Sequence, residues 1–437
     1  MKRINNSVIA LSLFVGIANA NAQEKKTLSL DEAVQLGIQN SKNLKIDAAK
    51  IEEATADLLE AKNRQLPELK VSGSYMYLPI KPNVDIKLPG VSGAGGPEVH
   101  QVAYGSANLS VPIYSGGRIK YGIQSAKYLV EASKLSTEND KIAIAYNVAQ
   151  AYNNLFKANQ SIKVFEENLA ASQKRDETFL KMENNGLIAR NDRLKANLQT
   201  SNIELQLLEA KNNYNIANIN MDLLLGLPET TELAVDENYI EEGSDVKPVD
   251  FYVTEARENR KDLQALAQQR KAAELGSKAA KAENLPSIAF TGGYVAADIP
   301  KFLTVYNAIN VGIGVSYNLS NLWKENSSLR QSQAREKQLA ATDELLNDNI
   351  KLDVNREYQN TDYSKKRIAV FEKSAEQANE NYRITKNKYD NGLATMTELL
   401  DADAAQIAAN VGVINAKADA ALAYRKLLQT TGTLTIK

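Results

Sequence analysis

His100 is the only histidine in the chain, and cysteine is absent. Acyl transfer of the Ser-His type needs an imidazole beside a nucleophile, and a zinc or copper centre needs several His or Cys ligands, so one histidine supports neither. It sits at the end of a glycine-rich loop, PGVSGAGGPEVH, residues 89–100. That loop has no following Lys-Ser/Thr, does not follow a buried strand and does not open a helix in a βαβ unit, so it is no phosphate cradle and reads as a surface loop. No cluster of Met or His favours a metal cargo, and the chain is expected to be no enzyme and to need no cofactor or metal. The chemistry left to consider is that of contact. NNGLIARNDRL at 184–194 has a near echo in DNGLATMTELL at 390–400. In each, an Asn-Gly turn is followed by a leucine: Gly186-Leu187 and Gly392-Leu393. An apolar residue at the end of a helical hairpin either docks another protein or staples its own turn. Glu183 and Asp390, flanking the turns, are either a charged constriction or ordinary solvated helix ends.

The echo is part of a longer repeat. The shared glycine recurs at 392 − 186 = 206 residues, as do Ser110/Ser316, Tyr152/Tyr358, Phe165/Phe371 and Gly226/Gly432. Upstream, Asn40, Leu44, Ala48, Ala54, Ala61, Lys62, Leu66 and Pro67 match Asn259, Leu263, Ala267, Ala273, Ala280, Lys281, Leu285 and Pro286 at an offset of 219. The first copy is therefore 219 − 206 = 13 residues longer between 75 and 110. A repeat this long is no solenoid unit. It is a duplicated half, with one copy carrying the extra length in a surface loop.

Each half carries two period-two segments after its first helix. Leu69, Val71, Gly73, Tyr75 and Tyr77 alternate with Lys70, Ser72, Ser74 and Met76; Ala103, Gly105, Ala107, Leu109, Val111 and Ile113 alternate with Tyr104, Ser106, Asn108 and Ser110. In the second half Ile288, Phe290, Gly292 and Tyr294 oppose Ser287, Thr291 and Gly293, and Val311, Ile313, Val315, Tyr317 and Leu319 oppose Gly312, Gly314, Ser316 and Asn318. The pattern fits a half-buried soluble sheet or membrane strands with lipid outside and water inside. In a bilayer every edge must be paired, so four strands would close only with strands from other chains. Tyr75, Tyr77, Tyr104, Tyr294 and Tyr317 fit either interfacial girdles or sheet packing.

Between strands and echo, Ile144, Val148, Ala151, Leu155, Ala158, Ile162, Phe165 and Leu169 step by 4, 3, 4, 3, 4, 3, 4, a heptad seam. The counterpart keeps Ile350, Val354, Ile368, Phe371 and Ala375 but carries Glu357, Thr361 and Ser364, a wetter seam. Leu194, Leu198, Leu205 and Leu208, and Leu400, Ala404, Ile407, Val411, Ile414 and Ala418, are expected to be the seams of the return helices. Asn191 and Thr397 are expected to cap those helices, with Asp192 and Glu398 at their positive ends. The division is a first repeat at 23–227 (helix, β-hairpin 69–113, long helix 118–184, tip 185–190, return helix 191–225), a mixed linker at 228–250, and a second repeat at 251–437 (helix, β-hairpin 286–319, long helix 322–390, tip 391–396, return helix 397–430).

The first 22 residues, MKRINNSVIALSLFVGIANANA, have Lys2 and Arg3, an apolar run from Val8 to Ala18 and A-x-A sites, and read as a secretory signal peptide; the run is too short for a membrane anchor. No cysteine is available for a lipid anchor. With 52 Lys+Arg against 53 Asp+Glu there is no electrostatic case for nucleic acid or an anionic surface.

The chain resembles the TolC-like outer membrane efflux family over nearly all of its mature length. The likeness lies in LSLDEAVQLGIQNSKNL (28–44), Leu66-Pro67 and Leu285-Pro286 before the strands, VPIYSGGR (111–118), the two Gly-Leu tips and Leu399-Leu400-Asp401-Ala402. It implies a mainly α fold with transmembrane β: coiled-coil helices of a long α-barrel, and four strands per protomer of a trimeric, twelve-stranded outer membrane barrel. It implies a homotrimer in outer membrane lipid reaching into the periplasm, a periplasmic adaptor and an inner membrane pump as partners, and a passive exit duct for a tripartite efflux or type I secretion system. Gly186, Leu187, Gly392 and Leu393 are then the adaptor contacts, and Glu183 and Asp390 the candidate constriction. The second strand exit, YNLSNLWKE, lacks the Gly116-Gly117 of the first, so its turn is made by Ser320-Asn321 or differently. Arg383, six residues before Tyr389, excludes an acidic ring there. The rival reading is a periplasmic or surface coiled-coil protein without a pore.

Overall fold

The computed structural model describes residues 25–80, 99–236, 239–240, 246–300 and 303–435. The expected signal peptide, most of the glycine-rich loop and parts of the expected 228–250 linker lie outside them.

The first half runs β1 (Lys25–Leu28), α1 (Leu30–Asn40), α2 (Lys42–Asn63), β2 (Glu68–Tyr77), β3 (Gln101–Tyr114), α3 (Arg118–Asn184), α4 (Arg190–Leu225) and β4 (Glu232–Val235). The second runs α5 (Val249–Asn259), α6 (Lys261–Ala282), β5 (Ser287–Ile299), β6 (Leu303–Ser316), a 3-10 turn at Leu319–Leu322, α7 (Ser327–Asp390) and α8 (Met396–Thr431). Pro67 and Pro286 stand immediately before β2 and β5, where a proline cannot continue a helix and forces extended backbone on its predecessor. At about 1.5 Å per residue, the 67 residues of α3 and 64 of α7 each reach on the order of 100 Å.

α3 packs against α2 and α6 along one part of its length, and against α4 and α8 along another; α7 packs against α6 and α8. The order across the molecule is therefore α2–α3–α6–α7 beside the sheet and α4–α3–α8–α7 towards the tips. Between these regions the chain has its largest apolar core: Leu28, Val148, Tyr152, Leu155, Phe156, Met221, Leu225 and Leu233. β1 and β4 pair in parallel there. The Tyr152 hydroxyl fastens them to α3, donating to the Leu28 carbonyl at 2.7 Å and accepting from the Asp236 N–H at 2.9 Å. The second copy has a smaller core of Tyr252, Ala256, Ile350, Val354 and Leu427.

The α7 seam holds its polar residues inside. Glu357 is buried and bonded by Arg356 at 3.0 Å and Asn360 at 3.0 Å. Thr361 donates to the Glu357 carbonyl at 2.7 Å and to the Ala423 carbonyl of α8 at 3.2 Å.

The α4 seam requires correction. Leu194, Leu198, Leu205 and Leu208 are 50 to 63% exposed, while Ala196, Ile203, Leu207 and Ala210 are buried. The inward face of α4 is made instead by Ala196, Ile203, Leu207 and Ala210, with Met221 and Leu225 nearer its end, so the leucine heptad is turned outward. A hydrophobic period identifies a face but not what covers it.

Candidate functional site

Two regions carry the contact chemistry: the four-stranded sheet and the paired tips. The sheet is antiparallel in the order β2-β3-β5-β6. Its register sorts the alternating residues onto two faces. Val71, Ala107, Tyr294 and Ile309 form one row; Leu69, Leu109, Gly292 and Val311 form the next; Val111, Phe290 and Ile313 follow. That face is apolar through these rows and turns polar at its far end, where Asp298 pairs with Thr304; its large side chains on the edge strands β2 and β6 are exposed in the single chain. The opposite face carries Ser72, Ser106, Asn108, Ser110, Thr291 and Asn310. Ser72 and Ser106 hydroxyls meet at 2.9 Å, and Asn108 reaches Ser106 at 3.2 Å. Gly293 is needed in this row because a Cβ would lie 2.5 Å from Asn310 Oδ1 and 3.4 Å from Asn108 Oδ1. β2 and β6 are edges with no partner among the described residues. One face for hydrocarbon, one for water and two open edges are what a segment of a larger membrane barrel requires.

Aromatics gather at both ends of the apolar face. Tyr75, Tyr77 and Tyr306 stand towards the strand ends away from the helices, while Tyr294 lies at mid-sheet between Ala107 and Ile309. Tyr114, paired with Ile288 after a bulge, and Tyr317 stand at the helical end. Tyr104 falls on the polar face, paired with Ser74 and Ala297.

The tips are near copies. α3 ends with Gly186 at φ 74° and α7 with Gly392 at φ 74°, left-handed backbone that favours glycine. Leu187 N–H bonds the Met182 carbonyl at 2.8 Å and Gly186 N–H that of Glu183 at 2.9 Å; Leu393 and Gly392 repeat this on Lys388 and Tyr389 at 2.8 and 2.9 Å. This is the Schellman closure, which satisfies the last carbonyls of each long helix. Leu187 is 70% and Leu393 77% exposed, so neither is buried against its own turn. Ile188, Met182, Phe179, Tyr389, Met396 and Leu399 make the cluster that packs the two tips together.

The start of α8 is at Thr395, not Thr397. The Thr395 hydroxyl accepts the Glu398 N–H at 3.2 Å, and Glu398 accepts the Thr395 N–H at 2.7 Å, a capping box that holds the Glu398 carboxyl below its ordinary range. α4 starts at Ala189 with no side-chain cap, and Asn191 lies inside the helix. Glu183 is bound by Arg193 of the same hairpin, and Asp390 by Lys386 at 2.8 Å. Arg383 is held by Glu380 at 2.7 Å.

Sequence reasoning missed one contact. Arg175 of α3 forks onto Asp403 of α8 at 2.7 and 3.2 Å, and bonds the Tyr382 hydroxyl at 3.0 Å. The pair is largely buried and is 228 positions apart, so no local spacing announces it.

The model of the outer membrane efflux proteins matches residues 33–227 and 252–433, both copies of the repeat. The chain belongs to that family. No functionally curated protein matches it. Among solved structures it is similar to VceC of Vibrio cholerae (18% identity, 92% of this chain and 96% of that one, TM-score 0.75). It is also similar to the CmeC outer membrane channel of Campylobacter jejuni (17%, 93% and 86%, 0.75) and to CusC (18%, 92% and 92%, 0.77). At these identities the likeness is one of fold: the TolC-like arrangement of long helices and sheet. This efflux-family protein is a channel component and not an enzyme; it resides in the outer membrane and extends into the periplasm. No described helix is long and apolar enough to cross a membrane.

Proposed function

We propose that the chain is the exit duct of a tripartite efflux or type I secretion system, a passive homotrimeric conduit driven by an inner membrane pump through a periplasmic adaptor. The observation that carries the reading is the sheet with one face apolar from Phe290 to Tyr294 and across all four strands, and two open edges. Three copies, joining β6 of one to β2 of the next, make twelve strands and remove every edge. The helical order supports the same closure. With α3 and α8 in contact inside a chain, the free flanks are α4 and α7, and the outward leucines of α4, 8 to 22 residues from their tip glycine, stand at the same level as Val370 and Ile384, exposed on α7, so that the two flanks can meet between neighbours. Such side chains are rarely left to water in a row. The residue division given above, with a cleaved signal at 1–22, belongs to this reading.

Leu187 and Leu393, raised on their Gly186 and Gly392 turns, are the proposed adaptor contacts, because an exposed leucine on a rigid turn offers apolar surface at small entropic cost. Glu183 and Asp390 are the proposed constriction; with Arg193 and Lys386 beside them, their effect on permeating ions is a paired, not a bare, negative charge. Membrane fractionation, heat-modifiable trimers on a gel and ion leakage from liposomes test the duct. A soluble monomer that leaves liposomes tight would sink it in favour of a pore-free coiled-coil protein. Leu187→Asp with Leu393→Asp should keep trimers and conductance while abolishing efflux; retained efflux removes the docking role.

A further inference from the structure

The one buried residue of α2 is an aspartate: Asp47 is 6% exposed, on a helix that buries nothing else. A carboxylate taken out of water is costly unless it is paired. Its first partner is Lys50, one turn along the same helix, whose Nζ lies 2.9 Å from Oδ1. Its second neighbour is a like group. α2 packs on α3, and the Asp140 carboxyl of α3 stands within hydrogen-bond reach of the Asp47 carboxyl. Two ionised carboxylates only accept, so this contact needs a proton between them. Burial first, and the Asp47 charge next, hold the Asp140 carboxyl above the ordinary carboxylate range, against the weaker pull of Asn139 and Lys50.

Two clefts border the pair and give it access to water. One, of about 540 Å³, has Ser136 and Thr137 of α3, Gln269 of α6 and Arg335 of α7 in its wall; the other, of about 290 Å³, has Asn43 and Asn147. Lys50 and Arg335 are the only other charged side chains that line them. The repeat shows that the fold does not require acid here. Asp47, Lys50 and Asp140 correspond to Leu266, Gln269 and Leu346, since 266 − 47 = 219, 269 − 50 = 219 and 346 − 140 = 206. Leu266 is buried on α6 and Leu346 half-buried on α7, which pack together as α2 and α3 do. One copy puts leucines where the other puts two acids.

We propose that Asp47 and Asp140 form a proton-operated clasp between α2 and α3: a proton held between the two carboxyls fastens α2 to the long helix, and its loss leaves two facing negative charges that loosen it. With the proton in place, Asp140 donates to Asp47 and Lys50 balances the one remaining charge. The folded chain binds this proton more tightly than the unfolded one. The contribution is therefore complete below the ordinary carboxyl range, about pH 4, and is lost as pH rises through the raised value. α2 is the end helix of the row α2–α3–α6–α7, so the seam with α3 decides how firmly it is held. The clasp lies within one chain and works whether or not three copies form a duct.

Hydrogen exchange of the full chain in detergent tests it. After correction for intrinsic exchange, protection of the α2 amides should rise about threefold to tenfold from neutral pH to about pH 4.5. The α6 amides, behind Leu266 and Leu346, should respond much less. Asp140→Asn, whose amide donates to Asp47 at every pH, should hold the acid level of protection throughout. Asp47→Leu with Asp140→Leu, which copies the second repeat, should also give a flat profile, so failure of either variant to fold leaves the other to decide. A flat profile in the unaltered chain, or an equal rise in α6, overturns the clasp. So does an unaltered slope in the variants, because another group then titrates. Protection that calcium raises at neutral pH and acid does not raise makes the pair a cation site and likewise overturns it.

Discussion

Leu155 and Thr361 occupy the same place in the two copies, 361 − 155 = 206 residues apart, and both are essentially inaccessible. The first lies in the large core made with α1, β1, β4 and α4. The second lies where α7 meets α8, and survives as a polar residue because its hydroxyl bonds two carbonyls, 2.7 and 3.2 Å away. Duplicated sequence has kept the backbone plan and changed what each seam is made of. The same holds at the junction of the copies. Arg175 and Asp403 form a largely buried pair between α3 and α8, whereas the positions related by 206 residues are Asn381 and Asn197. Asn197 is exposed and bonds Asp176 of its own hairpin at 3.2 Å. The two copies are fastened to each other by a charge pair at one junction and not at its counterpart.

The largest effect is expected where that asymmetry is sharpest. Asp403→Ala leaves the Arg175 guanidinium nearly buried without a carboxylate, at a cost of about 3–5 kcal/mol. Hydrogen exchange should accelerate in α3 and α8 around the pair, while Asn197→Ala should change exchange little, within about 0.5 kcal/mol as for ordinary surface sites. Equal effects at both would deny the asymmetry.

Next comes the seam itself. Leu155→Ala removes a fully buried side chain from the main core and should cost about 2–5 kcal/mol, depending on how far the site collapses. Thr361→Ala removes hydroxyl bonds but little volume and should cost about 1–2 kcal/mol. Local exchange in α3 against α7 measures both, and a larger loss at Thr361 would show the polar seam to be the stronger one.

Much of this architecture was legible in the chain. The repeat offsets, the Gly-Leu turns, the proline starts of β2 and β5 and the two-faced strands are local signals, read within one element. The outward turn of the α4 leucines was not legible, because helical period gives a face without its partner. Arg175–Asp403 depends on two hairpins meeting, and the Thr395 cap on which of two nearby threonines, Thr395 or Thr397, stands outside the first helical turn.

Asp222 supplies a pH test. It is wholly buried on α4 with Oδ1 unpartnered among the described residues, and only Asn218 reaches its other oxygen, at 2.9 Å. Burial first, and Glu229 nearby, push its carboxyl up to about 6. The folded chain therefore holds this proton more tightly than the unfolded one. The stability it contributes is complete below about pH 4 and is lost as pH rises to about 6, after which the penalty is constant. That interval corresponds to roughly 2–3 kcal/mol. Its counterpart is Leu428, which cannot titrate. Asp222→Asn should stabilise the first copy near neutral pH and flatten its dependence between pH 4 and 6, read as the exchange protection of α4 and β4; an unchanged profile would mean another group titrates there.

The smallest expected difference concerns how the return helices begin, and it tests the comparison in both directions. Ala189 and Thr395 are again 206 residues apart. Thr395 satisfies the Glu398 N–H and receives the Glu398 carboxylate on its own N–H, whereas Ala189 leaves the first turn of α4 without a side-chain acceptor. Thr395→Ala should cost about 1 kcal/mol of local stability in the first turns of α8. Ala189→Thr should gain a fraction of that, because residue 192, three positions on, is Asp in place of the Glu that completes the box and its shorter carboxylate reaches back less well. Exchange at the first amides of α4 and α8 reads both changes in one sample. A loss at Thr395 without any gain at Ala189 would mean that the first tip is held by Ile188 and Met182 in the shared apolar cluster and has no use for a cap.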